Sequence, residues 1–178
     1  MLTTRPGRDE AHEYYFTYID KVPDGDILAT LELQQDEMLE LLSGISEEQS
    51  RQRYAPGKWT LREALGHVND TERLFVFRAL WFARGLDAAL PSFDQEIAVA
   101  AAQADAIEWA QQVEEFRAVR DASIAFFRHL PADAWMRRGT ASGYSFTVRA
   151  LAFMTAGHAI HHAKIIRTKY LAAPEPTA

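Results

Sequence analysis

The stretch GHAIHHAKII, residues 157–166, sets His158, His161 and His162 close together in a segment otherwise apolar enough for a helix core. Imidazole titrates near neutral pH, and in its neutral form it ligates metals such as zinc and nickel. Helical residues four apart share a face, so His158 and His162 project together along a stripe with Leu151, Thr155, Ile165 and Ile166. His161 falls with Ala150, Gly157, Lys164 and Thr168, to the side. The spacing H-x-x-x-H lacks the glutamate of H-E-x-x-H, since Ala159 stands in its place, so a zinc-protease mechanism is unsupported.

A further histidine, His67, sits beside Val68 and one turn after Ala64, where it can face the interior. Three inward imidazoles from two helices match the ligand set of an open metal site, with positions left for water or substrate. Hydrogen-bonded core histidines are the alternative, and spacing alone leaves it open. His12 and His129 are weakly placed for either.

Polar residues on apolar stripes are the next candidates. Glu72 lies between Val68 and Phe75, and a buried carboxylate must be paired, hydrogen-bonded or protonated. An ion pair with Arg117, Arg120 or Arg149 is the favoured reading; a general base or an acceptor behind a ligand is the functional one. Asp70, three residues after His67, is a candidate to orient that ring or take a proton. Arg78 continues the line His67–Thr71–Arg78 and would anchor an anionic substrate or pair with a carboxylate. Tyr14, Tyr15 and Tyr18 are expected to form an aromatic lid, and Trp59 and Trp81 to belong to the core.

Four stretches with helical periodicity must position these residues. The first is expected over about Asp26–Leu42, with Gly44 as its stop. The second begins at Thr60, whose T-x-x-E pattern with Glu63 predicts a capping box, and ends at Arg84-Gly85. About twenty residues then predict a crossover with a short helix after Asp94. The third runs from a cap at Asp105 to Leu130, before Pro131. The fourth follows a turn-like RRGTASGYS and spans about Thr147–Tyr170. The expected fold class is all-α: a four-helix bundle of up-and-down type with a long crossover between the second and third helices. In that order the second and fourth helices run parallel on the diagonal. One domain over 1–178 is expected, with a core of about 13–170 and a frayed tail at 171–178.

Composition narrows the function. The 178 residues carry a net charge of -6 and no cysteine. The basic residues form no clustered patch, which argues against nucleic acid. Without cysteine there is no thiolate nucleophile and no sulfur ligand. The opening MLTTRPGRDE lacks the apolar run of a signal peptide, and no segment reaches the ~20 apolar residues of a membrane span. A cytoplasmic protein without membrane contact is the expectation.

KWTLREALGHVNDTERLFVFRALWFARG (58–85), followed by LPSFDQ (90–95) and a late GHxxxH, resembles the DinB-like superfamily. YYFTYIDKVPDGDIL before the first helix adds to the likeness, which spans about residues 13–170. Leu90-Pro91-Ser92-Phe93 departs from the family's frequent LPGF, a change in loop shape that touches no ligand. The resemblance implies a bundle of mirrored up-and-down connectivity, often dimeric, that binds a divalent metal through three histidines. Those positions fall on His67, His158 and His162.

Family members of known activity include metal-dependent transferases that use low-molecular-weight thiols. The resemblance thus implies a metal-dependent enzyme, with zinc or nickel expected, that activates a thiol cosubstrate or water against a small molecule. An S-transferase or a hydrolase would fit. A non-catalytic stress or detoxification protein with a structural metal is the contrasting reading. That protein would show a fourth protein ligand and no pocket.

Overall fold

The computed structural model describes residues 4–172. A short helix α1 (Phe16–Ile19) precedes the long helix α2 (Ile27–Ser43), which opens on the Asp26 carboxylate accepting from Leu28 N–H. Helix α3 (Leu61–Ala83) starts with the capping box: Thr60 Oγ1 accepts from Glu63 N–H, and the Glu63 carboxylate accepts from Thr60 N–H. It stops at Arg84, with Gly85 at φ 74°. The crossover contains α4 (Gln95–Ala102), capped by Asp94 as expected.

Helix α5 (Trp109–Arg128) begins later than the Asp105 cap predicted. The Asp105 carboxylate instead accepts the Thr60 hydroxyl at 2.6 Å, tying the crossover to the start of α3. Helix α6 (Val148–Ile165) opens on Thr147, whose hydroxyl accepts from Ala150 N–H, and continues as a π-helical turn to Tyr170. The APEPTA tail, residues 173–178, lies outside the described residues.

Residues 137–145, expected as a bare turn, form a hairpin: β1 (Arg138–Ala141) pairs antiparallel with β2 (Tyr144–Thr147). Its two-residue loop is Ser142-Gly143, both at positive φ (54° and 81°). That geometry matches the twist of paired strands. Strands this short show no legible alternation.

The order of packing also differs from expectation. α3 packs on α5 and α6, and α2 packs on α5 and α6. The pairs consecutive in sequence, α2/α3 and α5/α6, therefore occupy the diagonals. α3 and α6 are neighbours and run antiparallel: the Tyr170 hydroxyl donates to Trp59 O, Phe75 meets His158, and Phe82 lies against Gly139. α3 and α5 run the same way, with Arg62 near Ile107 and Glu72 at Arg120. A parallel pair cannot be joined by a tight turn, which is the physical need for the long crossover.

Val148 and every residue from Ala150 to Ala159 are buried, so α6 is enclosed rather than amphipathic. α1 covers the side of α6 that sequence reading left polar; at Gly157 a methyl group would overlap the Tyr18 carbonyl.

The apolar core falls into two clusters. One surrounds Phe75, Phe82, Phe127, Phe146 and Phe153; the other surrounds Met38, Leu42, Leu61, Leu65 and Phe116. Each fully buried phenylalanine contributes about 1.5–3 kcal/mol. The long helices also bury polar residues, among them His67, Glu72, Arg120 and His158.

Candidate metal centre

His67 comes from the second turn of α3, and His158 and His162 from successive turns of α6. Because α3 and α6 are antiparallel neighbours, the three rings converge. Each offers a ligand atom, and these atoms all lie within 4.8 Å of one another. Nε2 of His67 stands 3.2 Å from Nε2 of His158. The rings are 4–8% exposed.

Burial dominates their electrostatics. It pushes His67 down to about 4, with the His161 charge adding to the effect. It pushes His162 down to about 3, helped by His67 and His161. His158 is driven well below its usual value by burial, then by His162, His67 and His161. The three rings are neutral near pH 7, the form whose lone pairs ligate a cation.

The donor set fits a divalent metal. Donors at about 2.05 Å from a tetrahedral ion lie about 3.3 Å apart, close to the 3.2 Å between the two Nε2 atoms. Thr71 Oγ1, 3.4 Å from Nδ1 of His67, lies behind that ring, the position from which an outer partner orients a ligand. Among the described residues the cluster has no fourth His, Asp or Glu.

Two cavities reach the cluster, and their walls share no residue. One, of about 300 Å³, ends on His162 and is lined by Tyr54, Lys58, Trp59, Glu96 and Tyr170. The other, of about 260 Å³, ends on His67 and His158 and runs past Tyr14, Tyr15, Tyr18 and Phe75 to Arg78.

The remaining candidates are dispersed. Glu72 takes the ion-pair role: both its oxygens accept from Arg120 at 2.8 Å, and Arg120 also donates to Leu31 O on α2. Asp70 is partly exposed and pairs with Arg73 at 3.3 Å. Neither carboxylate is hydrogen-bonded to the three histidines. Arg78 is buried and donates to Pro91 O and Ser142 Oγ at 3.0 and 2.9 Å. His161 is half-buried beside Tyr18, outside the cluster.

Trp59 corrects the core assignment: its half-buried ring lies 4.9 Å from that of His67, at a cavity wall. Tyr170 and Ser142 also border the cavities, and neither stood out in sequence. The Pro56-Gly57 and Ser142-Gly143 turns that present these neighbours were the signals available.

A family model for the DinB superfamily matches residues 30–166, a span that contains all three histidines. The chain belongs to the DinB superfamily. Among solved structures, this DinB chain is similar to YfiT from Bacillus subtilis, a probable metal-dependent hydrolase with an unusual four-helix bundle topology. The match has a TM-score of 0.67 at 14% identity and covers 92% of each chain. The mycothiol-dependent maleylpyruvate isomerase aligns with a TM-score of 0.66 at 15% identity, over 82% of this chain and 59% of the isomerase. At these identities the likeness is one of fold. No curated protein matches the sequence.

Proposed function

We propose that the protein is a metal-dependent enzyme acting on a small molecule, with a low-molecular-weight thiol as cosubstrate and His67, His158 and His162 as the metal ligands. The carrying observation is that the three histidines divide between two cavities, His162 in one and His67 with His158 in the other. Both cavities give small molecules access to the centre. A metal that merely joined α3 to α6 would need neither cavity and would favour a fourth protein ligand.

A zinc or nickel ion held there would supply Lewis acidity, drawing the proton from a thiol or a water so that a nucleophile exists near neutral pH. The protein's own groups do the rest. Burial keeps the imidazoles unprotonated, and Thr71 fixes the His67 ring. Tyr14, Tyr15 and Tyr18 narrow the access of water. Arg78 offers a positive charge to the small-molecule substrate. Glu72 and Asp70 are engaged by Arg120 and Arg73, so the proton-transfer role considered for them is not part of this reading. The mycothiol dependence of the isomerase similar in fold supports the thiol, whereas YfiT, a probable hydrolase of similar fold, supports water as the alternative nucleophile. A homodimer is proposed as well, with Phe77 and Leu80 exposed on α3; light scattering at micromolar concentration tests it.

The test is elemental analysis of tag-free protein followed by cobalt loading. One equivalent of metal is expected in the wild type and none in His67→Ala or His162→Ala. Adding cysteine or glutathione to the cobalt form should produce a thiolate-to-metal absorption band. Metal without such a band, together with ester hydrolysis, would replace the thiol by water. Absence of metal after incubation with several divalent ions would overturn the reading.

A further inference from the structure

Three arginines are fully buried: Arg62, Arg78 and Arg120. Two have glutamate partners, Arg62 with Glu47 and Arg120 with Glu72. Arg78 has no carboxylate within ion-pair distance among the described residues; its polar neighbours are the neutral oxygens of Pro91 and Ser142 and the Tyr15 phenol. Its Nε–H is buried without any acceptor. An isolated buried cation is costly, and a ligand's negative charge placed against it would offset that cost.

We infer that Arg78 is the anchor for a substrate carboxylate, and that the cavity joining it to His67 and His158 selects an elongated aromatic or conjugated carboxylic acid. The guanidinium fork matches a carboxylate in geometry and charge. The Tyr15 phenol beside it is raised by burial, so it stays neutral and leaves the arginine's charge uncompensated. The cavity wall carries the aromatic rings of Tyr15, Tyr18, Phe75 and Phe93 beside the polar Thr71, Gln95 and Ser142. Such walls favour a planar ring packed edge to face over a small hydrated anion such as phosphate. Arg78 and His67 lie eleven positions apart on one helix (78 − 67), about 16 Å along the backbone. The carboxylate thus sits at the end remote from the histidines, and the reacting atom lies several bonds away. This inference deepens the proposed function and rests on it for which end of the substrate reacts; the anion site itself is independent of the metal.

The experiment is calorimetric titration of metal-free and metal-loaded protein with cinnamate, its neutral amide cinnamamide, and inorganic phosphate. Cinnamate is expected to bind both forms. Cinnamamide and phosphate should bind at least tenfold more weakly, and Arg78→Gln should lose at least tenfold in affinity for cinnamate alone. Equal binding of acid and amide, phosphate binding as tight as cinnamate, or no cinnamate binding would each overturn the inference, and the wild-type arms decide even if the variant fails to fold. Metal content measured on the same samples separates this failure from failure of the metal centre.

Discussion

Nε2 of His67 and Nε2 of His158 face each other across 3.2 Å, from positions ninety-one residues apart in the chain. Two neutral imidazoles at that distance share one proton or one cation, because two bare lone pairs repel. Both rings are buried and a third ligand atom lies within 4.8 Å, so the arrangement could hold a cation.

His161, adjacent in sequence to His162, packs beside Tyr18 and not in the cluster. His161→Ala is expected to leave metal content unchanged, whereas His162→Ala removes the metal and keeps most of the helical circular dichroism. Equal metal loss in both variants would show that the face assignment fails.

That assignment was legible because α6 is a regular helix and its period of 3.6 separates His158 and His162 from His161. His67 was legible as inward, but not as adjacent. Helical periodicity tells which side of a helix is buried, not which helix buries it. So α3 and α6 were expected as a parallel diagonal pair and are antiparallel neighbours. Trp59 was misplaced for the same reason, since a large half-buried ring looks alike in sequence at a core edge and at a cavity wall. The cap at Thr60 was local chemistry and therefore readable; the hairpin at 138–147 depended on two positive-φ residues inside a short polar run.

Glu72 and Arg120 form a bidentate pair that is almost fully buried. Glu72→Gln should cost about 3–5 kcal/mol in urea unfolding, because it strands a buried guanidinium. The double variant Glu72→Met, Arg120→Met should recover much of that loss. A single variant as stable as wild type would mean the pair is solvated in solution.

The metal-free protein should weaken in acid. His67 and His162 fall to about 4 and about 3, from 6.5 in the unfolded chain. Below 6.5 the unfolded state binds more protons, so stability is complete above that pH and declines as pH falls toward 3. Each unit of separation is worth up to about 1.4 kcal/mol. Urea midpoints at pH 7, 5.5 and 4.5 check this, and His162→Gln should flatten the decline. A profile unchanged by that substitution would remove the histidines as its cause.

Gly157 lets α1 approach α6 through the Tyr18 backbone. Gly157→Ala should destabilise by about 1–3 kcal/mol and displace the tyrosine wall over His158. Faster amide exchange in residues 16–19 with unchanged exchange in α3 is the expected pattern. Uniform acceleration would point to a general loss of packing instead.

The diagonal placement of helices adjacent in sequence has a kinetic consequence. Neither α2 with α3 nor α5 with α6 can associate as a local helical hairpin, the step by which simple bundles fold fast. Every long-helix interface closes a large loop, which slows the search. Because α6 is the last long helix and is surrounded by α1, α2 and α3, its docking must await its partners. The three histidines on α3 and α6 therefore meet only once α6 has docked on α3, and a chain whose α6 is still undocked does not present this set of ligand atoms.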